Sequence, residues 1–472
     1  MKLIDAVSSA TALALLFCGA IVSAQPQAPE ADRKLFREIY QELVEINTTD
    51  SVGDNTQAAQ AMAARLKSAG FTDTEMQIVV PPGAPKKGNL VARLKGTGAK
   101  KPLLLLAHID VVEAKREDWE RDPFKLVEEG GYFYARGSVD DKAMAAIFVA
   151  NMIRYKKQGY RPDRDLILAL TADEELGSTS KWNGANWLVK NNRALIDAEF
   201  GLNEGGGGEL KGGKPLLNRV QAAEKVSVHF RLEVKNPGGH SSRPRPDNAI
   251  YELAEGLAKF GKFHFPVKLN ETTRIYFSRS AQFQSGQTAD DMRAIARDTP
   301  DPEAAARLSQ SPTYNSTLRT TCVATRLDGG HANNALPQTA RATVNCRILP
   351  DDPVDGVMKT IQQVVGDKVT VTRASEPVPS APSALRPEVM GPIEKVTGEF
   401  WPGVPVVPAM STGATDSRFM RNGSIAMYGV SGLFLDQDDN RSHGLNERMP
   451  VKSLYDGHEF LYRLVKELAG GK

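Results

Sequence analysis

Apolar residues recur at helical spacing early in the chain, at Leu35, Ile39, Leu43 and Val44 and again at Ala58, Met62 and Leu66, which predicts helices within 32–70. The pattern then changes. Segments 89–94 and 102–109 read as strands, and the second, within PLLLLAHID, is one continuous apolar run, as suits a strand covered on both faces. An apolar helix is expected over 142–155 and another buried strand, DLILALT, over 165–171. Helices alternating with buried strands predict an α/β layer built on a mainly parallel sheet.

Beyond about residue 223 the periodicity is different. VSVHFRLEV (226–234) alternates apolar and polar positions, which marks a strand with one wet face. A helix over 248–260, strands over 320–327 and 339–348 around the turn GGHANNALP, a helix over 357–365 and the strand KVTVT (368–372) follow. The order β-α-β-β-α-β is that of a ferredoxin-like sheet with helices on one face. A polar insertion, roughly 270–316, interrupts it and is expected to form loops and short helices. The Pro- and Ser-rich stretch EPVPSAPSALRPE (376–388) reads as a linker. α/β character then returns at 404–409, 424–428 and a helix over 454–468. The expectation is a larger α/β unit in two pieces, 25–222 and 377–472, around a smaller inserted unit, 223–376.

The first residues fit neither unit. Lys2, the apolar run 10–22 and the small residues Val22-Ser23-Ala24 make a signal peptide, 1–24, and imply a secreted or periplasmic protein. The run is shorter than the ~20 residues a membrane span needs. No second long apolar segment follows, so no membrane association is expected after cleavage. At 472 residues, 41% hydrophobic and 25% charged, the chain is an ordinary globular one of two or three domains. A formal charge of +2 without a basic run argues against nucleic acid. Cys322 and Cys346 sit on segments that can face each other across a hairpin. An oxidising compartment permits a disulfide, and two buried thiols fit the same pattern.

Candidate chemistry gathers at strand ends, where open α/β sheets bind ligands. His108 and Asp110 close a buried strand with both side chains on one side. Alone they read more readily as a satisfied structural pair than as a metal ligand with its orienting partner. GSVDDK adds Asp140 and Asp141 just before an apolar helix, where simple N-capping is the plainer explanation. TADEELGS then places Glu174 and Glu175 at another strand end, an arrangement that is costly without a positive partner. Glu204 follows among glycines in LNEGGGGEL, and His443 lies in DDNRSHGLNE. Two imidazoles with several carboxylates suit zinc and are too many for one tetrahedral ion. His458-Glu459 fails as a zincin motif because Tyr462 stands where its second His belongs, and no G-x-S-x-G is present.

In order, the motifs AHIDVV, ARGSVDDK, TADEELGS, LNEGG, NPGGHSSRP, NNALPQTA, NCRILP and HGLNE resemble those of the dizinc metallopeptidase and amidohydrolase family of aminoacylase, carboxypeptidase G, carboxypeptidase S, acetylornithine deacetylase and succinyl-diaminopimelate desuccinylase. The resemblance spans the mature chain and implies a zinc-exopeptidase-like catalytic domain with an inserted lid and dimerisation domain. It implies His108 and Glu204 as ligands of one zinc, Glu175 and His443 of the other, and Asp140, in preference to Asp141, as the bridge. Asp110 would orient His108, and Glu174 would be the general base. His240, in NPGGHSSRP, would stabilise the oxyanion from a partner subunit, with Asn334 and Arg347 as further substrate contacts. Arg418, in the loop STGATDSR, is a weaker candidate for a substrate carboxylate. The expected reaction is cleavage of an amide beside a free carboxylate, in a small peptide or an N-acyl amino acid, by two zinc ions per subunit that cobalt or manganese can replace in vitro. A dipeptidase or small-molecule deacylase is the alternative enzyme, and an inactive zinc-binding dimer the alternative without catalysis.

Overall fold

Two fully buried strands, Leu103–His108 and Leu166–Thr171, lie parallel and in register at the centre of a ten-stranded sheet. The computed structural model describes residues 26–471; the expected signal peptide, 1–24, lies outside the described residues. On one side of this centre the sheet continues through Asn89–Leu94 to Met76–Val79, both joined antiparallel. On the other it continues parallel through Phe200–Asn203 to Ala426–Gly429, then to Lys214–Glu224, which Val406–Ser411 flanks in parallel. Parallel pairing thus dominates the middle; Met76–Val79 closes one edge antiparallel, and towards the other Gly208–Lys211 pairs antiparallel with Lys214–Glu224 and is flanked in parallel by Phe434–Asp436.

Sequence alternation places each Leu of the central run on one of two cores. Leu103 and Leu105 pack among the helices Glu30–Glu45, Asn55–Ser68, Lys142–Lys157, Pro387–Phe400 and Val451–Ala469. Leu104 and Leu106 face the helices Gly184–Asn191 and Ser417–Asn422. Lys142–Lys157 is buried on every side, which explains why it is apolar all round rather than striped.

The smaller sheet has the order Thr321–Gly329, Thr339–Ile348, Val226–Lys235, Thr370–Arg373, all antiparallel. Its apolar face is covered by Ala249–Phe260 and Val354–Val365, which is the ferredoxin-like order read from the sequence. Cys322 and Cys346 are register partners and form a disulfide across 24 residues.

The insertion is more ordered than expected. It forms four helices, Glu271–Ser280, Gly286–Ile295, Pro302–Leu308 and Pro312–Leu318, around Phe277, Met292, Ile295 and Leu308. Arg279 ties it to the larger sheet, donating to the Val406 carbonyl at 2.6 Å and pairing with Glu394 at 2.8 Å. The Pro/Ser-rich stretch is not a free linker either. Ser380 and Ser383 are buried, and Ser383 hydrogen-bonds Ala222 and Met427 along the sheet. Its prolines prevent a regular strand while its hydroxyls and amides still find partners.

Candidate active site

Parallel pairing of Leu103–His108 with both Leu166–Thr171 and Phe200–Asn203 brings three strand ends to one rim. From them come His108 and Asp110, Glu174 and Glu175, and Glu204. Asp140 and Asp141 join from the start of Lys142–Lys157, and His443 from the loop beyond Phe434–Asp436.

These residues converge. The Asp140 carboxylate lies between the two imidazoles, one oxygen 3.1 Å from Nε2 of His108 and the other 3.1 Å from Nε2 of His443. Glu175 is 3.0 Å from the same His443 nitrogen, and Glu204 is 3.9 Å from that of His108. Ligand atoms of His108, Glu174 and Glu204 lie within 4.8 Å of one another, as do those of His108, Asp140 and Glu175. Glu174 therefore stands against the same atoms as the expected ligands.

Charge is out of balance here. Burial, together with neighbouring acids, pushes the carboxyls of Glu174, Glu204 and Asp141 well above the usual range. Burial also raises Glu175. Burial alone would push His108 down, but Asp110, Asp140 and Glu204 hold it well above an ordinary imidazole. Asp140 and Glu175 raise His443 to about 10. One oxygen each of Asp141 and Glu175 is buried with no hydrogen-bond partner among the described residues. Such a set is stabilised by cations, and its mixed N/O donors fit two zinc-like ions.

Asp110 stands against both the His108 ring and the Glu174-Glu175 loop. Nδ1 of His108 is nearest to the Asp110 main-chain carbonyl, at 3.0 Å, with the carboxylate at 3.5 Å. The carboxylate also accepts the main-chain N–H groups of Glu174 and Glu175 at 3.1 and 3.0 Å. Behind them, Lys87 pairs with Asp173, whose φ of 61° turns the chain into the Glu174-Glu175 loop.

The expected substrate contacts separate into two groups. Arg418 is buried beneath Gly177, its Nε and Nη2 without hydrogen-bond partners among the described residues. Burial and the charge of Arg418 lower the half-buried Arg347, so two guanidinium groups share one region. His240 and Asn334 come together elsewhere, on a short ribbon pairing Gly239–His240 with Ala335–Leu336, where the Ser241 N–H donates to the Asn334 carbonyl. His240 is exposed and hydrogen-bonds Ser242.

A cavity of about 610 Å³ opens from Asp140 and Glu204, walled by Met144, Leu433 and Leu435 and, from the insertion, by Tyr276 and Tyr314. Sequence reasoning did not assign Asp416, which accepts from Thr171 and Asn183, or Lys142, which is fully buried and donates to the Ile46 carbonyl. Nor did it assign Glu447, although that residue lies within the quoted HGLNE motif.

Residues 104–467 match Peptidase family M20/M25/M40. The chain is 30% identical to the N-fatty-acyl-amino acid synthase/hydrolase of Xenopus tropicalis, over 77% of this chain and 72% of that one. It is 26% identical to carboxypeptidase S of Saccharomyces cerevisiae, over 77% and 71%. In fold it is similar to an M20 family metallo-carboxypeptidase of Sulfolobus solfataricus, with a TM-score of 0.68, 17% identity, and 92% and 99% of the two chains covered.

Proposed function

The chain belongs to peptidase family M20/M25/M40, and within that family we propose that it is a two-zinc hydrolase of amide bonds adjacent to a free carboxylate, acting on N-acyl amino acids or small peptides. The observation that carries this reading is the Asp140 carboxylate held between His108 and His443. His108 and Glu204 would hold one ion, Glu175 and His443 the other, and Asp140 both. Bound there, the pair supplies Lewis-acid polarisation of the scissile carbonyl and makes a neighbouring water more acidic.

The remaining chemistry belongs to side chains. Glu174, its carboxyl raised by burial, takes a proton from the attacking water and delivers it to the leaving amine. Arg418, whose Nε and Nη2 have no hydrogen-bond partner among the described residues, and the neighbouring Arg347 bind the substrate carboxylate, a task suited to guanidinium forks. The acyl side extends into the cavity beneath Tyr276 and Tyr314. His240 and Asn334 donate to the developing oxyanion from the partner subunit of a homodimer. A dimer is supported by the edge strand Thr321–Gly329 of the lid, 223–376, which exposes Val323 and Leu327. Export is supported by the N-terminal pattern and by the disulfide. Among the described residues no helix is long and apolar enough to cross a membrane.

The test is a rate screen of zinc-loaded protein on N-acyl amino acids, C-terminal peptides and dipeptides, with Glu174→Ala as control. Turnover of carboxylate-bearing amides, lost in the control, is expected. Wild-type rates in the control, or no turnover across the panel, would overturn the reading.

A further inference from the structure

Glu447 is fully buried and lies four residues beyond His443. Its side chain reaches into the loop before Lys142–Lys157. One oxygen accepts the main-chain N–H groups of Val139 at 2.7 Å and Asp140 at 3.1 Å. The other accepts that of Gly137 at 3.1 Å and the Arg136 guanidinium at 2.7 Å. Arg136 then donates back to the Gly444 carbonyl, next to His443, at 2.9 Å. The Ala135 N–H closes the circuit on the Glu447 carbonyl at 3.2 Å.

We propose that Glu447, with Arg136, is a positioning residue that clips the Asp140 loop to the His443 loop and so fixes the separation of the bridging carboxylate and the second imidazole before any ion binds. The physical need is plain. His443 and Asn446 hold φ values of 63° and 52°, a conformation that L-residues adopt rarely and only when neighbours over-determine it. Asp140 is more than 300 residues away in sequence, so local structure cannot set its place relative to His443. A carboxylate accepting three main-chain N–H groups and one guanidinium satisfies all four donors with its lone pairs, which a neutral amide of the same shape cannot do. The role of Glu447 rests on the reading of Asp140 and His443 as ligands, but the clip itself does not require metal.

The experiment therefore has two arms. In chelated wild-type protein, hydrogen exchange at the amides of Gly137, Val139 and Asp140 is expected to be as slow as in the strand Leu103–His108. Exchange as fast as in exposed loops would overturn the proposal whatever the variants do. In the second arm, Glu447→Gln and the charge-retaining Glu447→Asp are titrated with zinc against a chromophoric chelator, with cooperative melting as the check of folding. Affinity for one of two ions is expected to fall roughly 10–100-fold, the range for supporting groups behind metal ligands, with kcat falling alongside and KM little changed. A folded variant with lowered melting temperature but wild-type affinity for both ions would make Glu447 merely structural and end the proposal. Wild-type protein that binds no zinc, with protected amides, would instead refute the ligand assignment.

Discussion

The main-chain N–H of Glu174 donates to one oxygen of Asp110 at 3.1 Å, while Glu175 uses the other at 3.0 Å. One carboxylate thus sets the backbone of the expected base and of an expected ligand. Its own main-chain carbonyl holds His108. Asp110→Asn keeps the shape but turns one acceptor into a donor facing an N–H. Steady-state kinetics should show kcat lowered roughly 10–100-fold with KM near wild type. An unchanged kcat would mean that this contact is incidental.

Glu174→Gln leaves the site's shape and the other acids in place while removing the group that moves the proton. Turnover should drop about 10²–10⁴-fold, with two zinc ions still bound by elemental analysis. Loss of an ion together with activity would reassign Glu174 as a ligand, which its closeness to His108 and Glu204 also permits.

Chelation should destabilise the fold, and more so at higher pH. Without cations, burial raises Glu174 and Glu204 above their unfolded values. Their contribution is present below the ordinary carboxylate range and is lost as pH rises through the folded pKa. Bound ions remove that loss. The melting-temperature gap between zinc-loaded and chelated protein should therefore widen from about pH 5 to about pH 8. A constant gap would show that these acids do not set the demand for cations.

Replacing Cys322 and Cys346 with Ser should cost roughly 2–4 kcal/mol in the smaller sheet. The loss should appear as a lower melting temperature and earlier proteolysis of Thr321–Gly329, the strand that the bond ties to its neighbour. Identical melting of the double variant and wild type would contradict this.

His458 stacks on Phe36 with ring centroids 4.3 Å apart, and neither ring nitrogen has a hydrogen-bond partner among the described residues. Burial, with the charges of Arg154 and Arg33, lowers it to about 3. The unfolded chain then binds the extra proton between that value and about 6.5. Stability is full above this window and falls as pH drops through it, by about 1.4 kcal/mol per unit. His458→Phe keeps the stack and should flatten the acid limb of a stability–pH curve. A curve parallel to wild type would refute the assignment.

Much of the fold is legible in the amino-acid sequence. Continuous apolar runs and period-two alternation identified the buried central strands and the wet-faced smaller sheet, because burial on two faces or one leaves a local trace. The ligand-type residues were legible because they stand just beyond those strands, in motifs where adjacent acids are otherwise unfavourable. The insertion was less so. Its short, polar helices are stabilised by one another and by Arg279 on the larger sheet, not by a periodic apolar stripe of their own.

The strand ends, the residue types gathered there and hence the family are written in the order of residues along the chain. Folding in three dimensions settles that Asp110 serves the backbone of Glu174 and Glu175 as well as the ring of His108, that Glu447 reaches the Asp140 loop, and that Nε and Nη2 of Arg418 are buried with no hydrogen-bond partner among the described residues. The reason is directional and long-range. A motif fixes which groups are available, but a lone pair finds its donor only after strands far apart in sequence have been set in register.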